Sequence, residues 1–261
     1  MTARRIIDAH CHIGRTVANG IGQDVETWLA AMDGAGIDRA IISVAAGGIQ
    51  AEGLADTRRA NDVIAEAVRR HPARFPLGLA SVEVRHGRAG LGEVRRALDI
   101  GLRGLVFHAT FEGFGLDSPV FADLLKALGN EPALVLLHAT TDARSDPRAI
   151  GRVAQDFPHL LFIAGHPVFT EEQRAQCVGA VRANGNLTLD LAYQDDPRTT
   201  EFFVREVGAD RIVFGSDAPY FEPRRVIASI EAAAISAPDR EQIFSLNAQR
   251  LIDLASAGAG S

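Results

Sequence analysis

Eight short apolar runs recur along the chain, and each is followed by a longer segment whose apolar residues have helical spacing. The runs cover residues 5–9, 40–44, 76–80, 104–107, 133–137, 160–163, 187–191 and 211–214. Their near-continuous apolar character, without strict alternation, is typical of parallel strands that are buried on both faces. The sequence therefore predicts an α/β protein in which eight strand–helix units alternate.

The segments between the runs carry the usual signals of helices. Apolar residues recur at spacings of three and four, as they do between residues 25 and 32. Ser118 and Asp146 each precede a proline, and a capping side chain followed by proline is typical of a helix start. We therefore expect capped helices that begin at Pro119 and Pro147.

Chain length bears on whether the predicted sheet is closed or open. A (β/α)8 TIM barrel takes about 250 residues, and this chain has 261. Eight consecutive alternations favour closure over an open doubly wound sheet, and the sequence lacks the glycine-rich phosphate loop that dinucleotide binders place after the first strand. We predict one barrel domain over residues 1–256, with an extra C-terminal helix over 238–254 and a disordered tail over 257–261.

Composition narrows the partners and the compartment. The net charge is −6 and no basic run is present, which argues against nucleic acid and against an anionic membrane surface. The two cysteines, Cys11 and Cys177, cannot form a disulfide framework and indicate a reducing compartment. No signal peptide is recognisable at the start of the sequence. We expect a cytoplasmic protein that acts on a small molecule, and the sequence leaves a homodimer open.

Ionisable residues are concentrated where the predicted strands end. Active sites of (β/α)8 barrels lie at the C-terminal ends of the strands. Five of the eight histidines stand at such ends. The strand-end residues are His10, His12, His108, His138, His166 and Asp217. This distribution predicts a functional site at the barrel mouth.

Four of these residues make a plausible ligand set for one divalent metal ion. His10 and His12 are two apart on a strand, so both side chains point to the barrel interior while Cys11 points to the helical layer. With His138 and Asp217 they supply three nitrogens and one oxygen, which favours zinc, with manganese as the alternative. The opposing interpretation, histidines that are only hydrogen-bonded core residues, is disfavoured because converging buried imidazoles are costly without a ligand.

These motifs resemble the amidohydrolase superfamily, and within it the amidohydrolase-related branch that includes lactone hydrolases and aminocarboxymuconate-semialdehyde decarboxylase-like enzymes. The matching segments are Asp8-Ala9-His10-Cys11-His12, Leu136-Leu137-His138, Ala164-Gly165-His166-Pro167 and Phe214-Gly215-Ser216-Asp217. They occur in the family's order from the first strand to the eighth. The resemblance implies that His10, His12, His138 and Asp217 bind the metal and that His166 is a catalytic histidine.

Departures from the family pattern leave two roles open. Two-metal relatives place a carboxylated lysine or a glutamate at the end of strand four or five, whereas strand four here ends in His108, which argues for one metal. His108 is predicted to contact substrate or to make a structural hydrogen bond. Asp190 is predicted to orient a ligand or to contact substrate.

The ligand types indicate hydrolysis as the leading chemistry. A bound divalent ion lowers the pKa of water from 15.7 toward about 7. Asp217 would take the proton of that water and deliver it to the leaving group, and His166 would polarise the substrate carbonyl. Pro167 predicts an extended backbone at His166. We therefore expect a hydrolase of a small cyclic ester, amide or related carbonyl compound.

Two other functions remain open from the sequence. The alternative that shares the metal site is a non-oxidative decarboxylase of a small aromatic or unsaturated acid. A catalytically inactive barrel that serves only as a binding protein is disfavoured by the intact ligand set.

Overall fold

The computed structural model of the protein describes residues 5–16, 20–45 and 52–257. Within these residues, eight parallel strands coincide with the eight predicted runs, and one short strand is additional. The strands are β1 Ile7–Arg15, β2 Gly22–Gln23, β3 Arg39–Val44, β4 Leu77–Leu79, β5 Gly104–Phe107, β6 Leu134–His138, β7 Leu161–Gly165, β8 Leu187–Asp190 and β9 Ile212–Val213. β2 pairs antiparallel with the end of β1 and forms a small hairpin at the barrel mouth.

Helices follow the strands as the apolar spacing predicts. They are α1 Val25–Ala35, α2 Leu54–Arg70, α3 Arg88–Asp99, α4 Ala109–Glu112, α5 Pro119–Lys126, α6 Pro147–Asp156, α7 Glu171–Ala183, α8 Pro197–Val207, α9 Pro223–Ala232, α10 Ala237–Glu241 and α11 Asn247–Ala257. Both predicted starts are confirmed, since α5 begins at Pro119 and α6 begins at Pro147. The Asp146 side chain caps α6, whereas Ser118 makes no side-chain capping hydrogen bond to α5, so the predicted cap at Ser118 is wrong. The turn α4, of four residues, was not predicted because it is too short to show a period.

The strands close into a barrel. Hydrogen bonding orders them as β2-β1-β3-β4 and as β5-β6-β7-β8-β9. Parallel bridges join the two sheets, at Ala80–Leu105 after β4 and at Cys11–Ala218 between β1 and the segment after β9. The predicted (β/α)8 TIM barrel is therefore confirmed, and the open doubly wound sheet is not the fold.

Two separate hydrophobic clusters stabilise the barrel. The larger one lies between the strands and the surrounding helices, and it contains Trp28 and Cys11, which confirms that Cys11 points to the helical layer. The smaller one fills the barrel interior and includes Ile7 and Ala9 of β1. The interior cluster also includes residues of α11, which packs beneath the barrel where β7, β8 and β9 begin.

The C-terminal segment completes the lower end of the barrel. The predicted helix over residues 238–254 is found as three consecutive helical pieces, α10, a π-helical turn over Gln242–Leu246, and α11. Helix α11 extends to Ala257, the first residue of the predicted disordered tail. Residues 258–261 lie outside the described residues. In the part of the chain that the structure describes, no helix combines the length and the apolar character needed to cross a membrane.

A β-bulge in β1 sets the direction of its histidines. Ile7 and Ala9 point into the barrel interior, so strict alternation would send His10 and His12 outward. The pairing of β1 with β3 shifts register between Asp8 and Cys11. This shift adds one residue to β1, and an extra residue moves the side chains that follow it to the opposite face of the strand. His10 and His12 therefore face the interior at the mouth.

Candidate metal centre and cavity

Three histidines and one aspartate converge at the C-terminal end of the barrel. The Nε2 atoms of His10, His12 and His138 lie 3.0, 3.1 and 3.2 Å from one another. The Oδ1 atom of Asp217 lies 3.3 Å from Nε2 of His10 and 3.1 Å from Nε2 of His12. All four residues are buried. The structure thus brings together the four residues that the sequence analysis grouped as metal ligands.

The second nitrogen of each ligand imidazole is already committed as a hydrogen-bond donor. Nδ1 of His10 donates to Oδ2 of Asp190 at 2.6 Å, and Nδ1 of His138 donates to the last carbonyl of β5 at 2.8 Å. Nδ1 of His12 donates to Oγ of Ser43 at 2.8 Å. This hydroxyl cannot be the donor to His12, because it donates its own proton to the backbone carbonyl of Cys11 at 3.0 Å. Each Nε2 therefore presents a lone pair to the centre.

A cation fits this arrangement. Three lone pairs and a carboxylate oxygen meet at about 3 Å, and Oδ1 of Asp217 accepts no hydrogen bond from the described residues. Such a cluster of acceptors is costly in a buried site unless a positive charge lies among them. Ligands bound at about 2.0–2.1 Å in a tetrahedral zinc site lie roughly 3.3 Å apart, close to the distances found here. The four residues therefore form a metal-binding site.

Asp190 supports the site from beneath. Its Oδ2 accepts the proton of His10, and its Oδ1 accepts backbone N–H groups of His166 at 2.7 Å and Ala192 at 3.0 Å. Its side chain is fully buried and does not line the cavity. Of the two predicted roles, the geometry supports orientation of a ligand. It does not support substrate contact, because both oxygens are already occupied.

Charge at the centre follows from these contacts. Burial lowers the pKa of His10, but the carboxylates of Asp190 and Asp217 outweigh burial and raise that pKa to about 10. Burial would raise the pKa of Asp217, but its close contacts with His10 and His12 hold that pKa well below its ordinary value. The two carboxylates thus favour positive charge at the position where the ligand atoms meet.

Three non-glycine residues at the mouth have left-handed backbones. They are His166 with φ 40°, Tyr193 with φ 61° and Asp217 with φ 60°. Such angles are uncommon outside glycine and cluster at functional sites. The predicted extended backbone at His166 is therefore wrong. A hydrogen bond from its N–H to Asp190 holds this residue in a conformation that the neighbouring proline does not favour by itself.

A cavity of about 320 Å³ opens above the metal centre. Aromatic side chains form much of its wall, and three threonines face it. The lining comprises His12, Thr16, Ile21, His108, Thr110, Phe111, His138, Thr140, His166, Phe169, Tyr193, Asp217 and Tyr220. None of these described lining residues is lysine or arginine. Residues 17–19 and 46–51, which lie outside the described ranges, contain no ionisable side chain in the sequence.

Both remaining candidate histidines line this cavity. The ring of His166 stacks on His10 at 5.7 Å between centroids, and its buried Nδ1 has no hydrogen-bond partner among the described residues. Burial lowers the pKa of His166 and keeps its imidazole neutral. Burial, reinforced by His166, also lowers the pKa of His108 to about 3. The cavity thus contains two neutral imidazoles besides the ligands.

Several site residues were not identified from the sequence. Ser43 orients His12, and Phe111 and Phe169 form cavity wall. A hydroxyl residue inside the otherwise apolar β3 run was the available signal for Ser43. Tyr193 and Tyr220 also line the cavity, whereas Arg144 does not.

Metal-dependent barrel enzymes hold their ligands at the C-terminal ends of the strands, and the four residues of this centre lie at that end of the barrel. A model of the amidohydrolase family matches residues 7–254, nearly the whole chain, so the chain belongs to that family. The resemblance read from the four sequence motifs is confirmed at this level.

Individual relatives are distant but extend over the full barrel. Gamma-resorcylate decarboxylase of Rhizobium radiobacter is 26% identical, over 88% of this chain and 87% of the relative. The structure of 5-carboxyvanillate decarboxylase from Sphingomonas paucimobilis superposes with a TM-score of 0.76 at 18% identity, over 97% of this chain and 100% of that chain. The structure of a dihydroxybenzoic acid decarboxylase from Polaromonas sp. JS666, with bound manganese and the inhibitor 2-nitroresorcinol, superposes with a TM-score of 0.71 at 20% identity. This match covers 96% of this chain and 97% of that chain. The structural matches establish a shared fold.

Proposed function

We propose that the protein is a metal-dependent, non-oxidative decarboxylase of a small aromatic carboxylic acid. The observation that carries this proposal is the cavity itself, an aromatic-walled space directly above the metal ligands. Because its described lining contains no lysine or arginine, the metal is the cation available to an incoming carboxylate. A ring that stacks among the wall aromatics would thereby direct its carboxyl group to the centre.

The relatives support decarboxylation over hydrolysis. The curated relatives at 25–26% identity are gamma-resorcylate decarboxylases, and two of the compared structures are decarboxylases of hydroxylated benzoic acids. Hydrolysis of a small ester or amide, the leading expectation from the sequence, uses the same ligands. The substrate assay described below distinguishes the two activities.

The metal would be held by His10, His12, His138 and Asp217, and we propose zinc, with manganese as the alternative. Three imidazole nitrogens suit zinc, whereas one compared decarboxylase contains manganese. When bound, the ion supplies a positive charge that fixes and polarises an anionic substrate. Elemental analysis of purified protein is expected to find about one ion per chain, lost in the His12→Ala variant.

Proton delivery falls to this chain's own residues. Loss of carbon dioxide breaks the bond between the ring and the carboxyl carbon, and the ring carbon must then gain one proton. His166 and Asp217 both line the cavity and can exchange protons. We propose that His166, neutral and with an Nδ1 that has no partner among the described residues, orients the substrate or passes a proton taken up from solvent water to the ring carbon, and that Asp217 is the second group that can take part in this proton transfer.

A substrate panel tests the proposed reaction. Zinc-loaded and manganese-loaded protein would be incubated with 2,6-dihydroxybenzoate, 2-hydroxybenzoate and the lactone dihydrocoumarin, and carbon dioxide and ring products would be quantified. The proposal expects carbon dioxide with an equal amount of the corresponding phenol, and none from His12→Ala. Lactone opening without carbon dioxide release from any acid would instead establish the hydrolase.

The role of His166 is tested separately with His166→Asn. Because His166 is not a ligand, we expect the metal content to be unchanged and turnover to fall about 100-fold or more, the usual effect of removing a general acid or base. Unchanged turnover in this variant would remove His166 from the mechanism while leaving the metal site intact.

A further inference from the structure

His108 is held rigidly at the junction of β5 and α4. Its Nδ1 accepts the backbone N–H of Phe111 at 3.2 Å. In return, Oε1 of Glu112 accepts the backbone N–H of His108 at 2.7 Å. The imidazole also lies flat on the Phe111 ring, with centroids 3.7 Å apart and planes 2° apart. These three contacts fix the position and the rotation of the imidazole.

The contact with Phe111 determines where the imidazole proton lies. A nitrogen that accepts an N–H bond must present its lone pair, so Nδ1 of His108 is unprotonated. The proton of the ring is then on Nε2. The hydrogen bonds among the described residues leave this Nε2–H unengaged, although His108 is 92% buried and lines the cavity.

Two threonine hydroxyls line the same cavity as His108, and one of them follows His108 by two residues. Oγ1 of Thr110 lies 3.1 Å from Oγ1 of Thr140, and both line the cavity. Thr140 is positioned by Oγ of Ser145 at 2.8 Å and by the N–H of Asp142 at 3.1 Å. His108, Thr110 and Thr140 thus form a neutral polar patch in a cavity whose other non-ligand walls are largely aromatic.

We propose that His108 is a specificity-determining residue, whose fixed Nε2–H donor forms with Thr110 and Thr140 a neutral subsite for an oxygen substituent on the substrate ring. The substituent would be a hydroxyl or methoxy oxygen, since an uncharged donor suits an uncharged acceptor. The inference deepens the proposed function, on which it rests for the aromatic nature of the ligand.

Two substitutions separate this binding role from a purely structural one. In His108→Gln, the side-chain amide places an N–H near the former Nε2 and loses the acceptor for Phe111. In His108→Asn, the shorter amide keeps an acceptor near the former Nδ1 and loses the donor that faces the cavity. A substrate-binding role predicts loss of recognition in His108→Asn. If His108 only holds α4 in place, the loss of recognition is expected instead in His108→Gln.

Binding would be measured by calorimetry on zinc-loaded protein with benzenesulfonate and its 2-, 3- and 4-hydroxy isomers. The sulfonate supplies the anionic group and cannot be lost as carbon dioxide, so the result does not depend on turnover. In the wild type we expect at least one hydroxy isomer to bind about tenfold more tightly than benzenesulfonate, the ratio that corresponds to one good hydrogen bond. His108→Gln should keep most of this ratio, and His108→Asn should abolish it.

The tautomer itself is tested on the same zinc-loaded protein, labelled with ¹⁵N-histidine. Long-range proton–nitrogen correlation spectra, with the His108 signals assigned by their absence from both variants, are expected to show protonated Nε2 and unprotonated Nδ1. Protonation at Nδ1 would overturn the inference. So would a wild type that prefers no hydroxy isomer, or a ratio retained in His108→Asn and lost in His108→Gln. Failure of the decarboxylase assay alone would leave these measurements unaffected.

Discussion

The ligand histidines depend on the residues that hold their outer nitrogens, and Asp190 offers the clearest test. In Asp190→Asn, the amide oxygen can still accept the N–H groups of His166 and Ala192, but the amide N–H would oppose Nδ1–H of His10. To avoid two opposed N–H groups, His10 would have to take the tautomer that is protonated at Nε2, which removes the lone pair that faces the centre. Since loss of such outer partners typically weakens metal binding 10–100-fold, we expect a fall of about that size, measured by competition with a chromogenic chelator.

The matched control is Asp195→Asn, which removes the same charge from an aspartate paired with Arg225 on the surface. This variant should bind metal as the wild type does. Equal metal affinity in Asp190→Asn and Asp195→Asn would show that the tautomer of His10 does not depend on Asp190.

Glu112 makes the stability of the protein depend on pH. Burial raises the pKa of its carboxyl group from its ordinary value of 4.5 to about 8. Between these two values the folded protein holds a proton that the unfolded chain releases, so the contribution of Glu112 to stability falls as the pH rises. Glu112→Gln keeps the acceptor for His108 and removes this dependence. Relative to the wild type, we expect the free energy of unfolding of the variant to rise by about 3–4 kcal/mol from pH 5 to pH 8, measured by urea unfolding.

Glu131→Gln is the control for this comparison, because Glu131 is exposed. Its difference from the wild type should stay nearly constant over the same pH range. A Glu112→Gln difference that is also constant would mean that Glu112 is ionised in the folded protein at pH 5.

The sequence predicted the four residues of the candidate metal centre because each stands at a strand end, where the barrel fold fixes its place. It could not assign the partners of those ligands. Nδ1 of His10 meets a carboxylate 180 positions away, and His12 meets a hydroxyl 31 positions away. Such contacts depend on side-chain rotation at the closed mouth, which local spacing does not encode. For the same reason the two roles considered for Asp190 could be separated only by the structure.

At the level of elements, the two-residue period of a β-strand predicted one property of β1 correctly and missed another. The spacing of His10 and His12 correctly placed both on one face, although His10 lies within the stretch where the register shifts and His12 lies beyond it. Alternation could not locate the bulge itself, since no glycine or proline marks it in this run. Element positions followed from the apolar runs, whereas the two-residue β2 and the four-residue α4 are too short to produce a pattern.

Helix α11 is the element whose stabilising role is most directly testable. Leu251 is 3% exposed and packs with the interior cluster, whereas Leu254, on the same helix, is 43% exposed. Leu251→Ala leaves a cavity beneath the barrel and is expected to destabilise the protein by about 2–5 kcal/mol. Leu254→Ala should change stability little. Urea unfolding measures both, and similar losses from the two variants would show that α11 does not close the barrel in solution.

For the whole molecule, the metal centre and the barrel closure are parts of one structure. His10 and His12 lie on the first strand, His138 lies on β6, and Asp217 follows the last strand. The bridge between Cys11 and Ala218 closes the barrel beside these ligands. A bound ion therefore connects the first, the middle and the last strands. We expect metal to stabilise the global fold and not only the mouth.

Thermal unfolding with and without a chelator measures this coupling. An ion present at 100 times its dissociation constant stabilises the folded state by about 2.7 kcal/mol. In a protein of this size that corresponds to a rise of about 5–10 °C in the unfolding midpoint. Asp217→Asn, which removes the ligand carboxylate, is expected to unfold at nearly the same temperature with and without metal. If the wild type were unaffected by chelation, the folded protein would not bind the ion in preference to the unfolded chain. If Asp217→Asn kept the full shift, the stabilising ion would bind elsewhere.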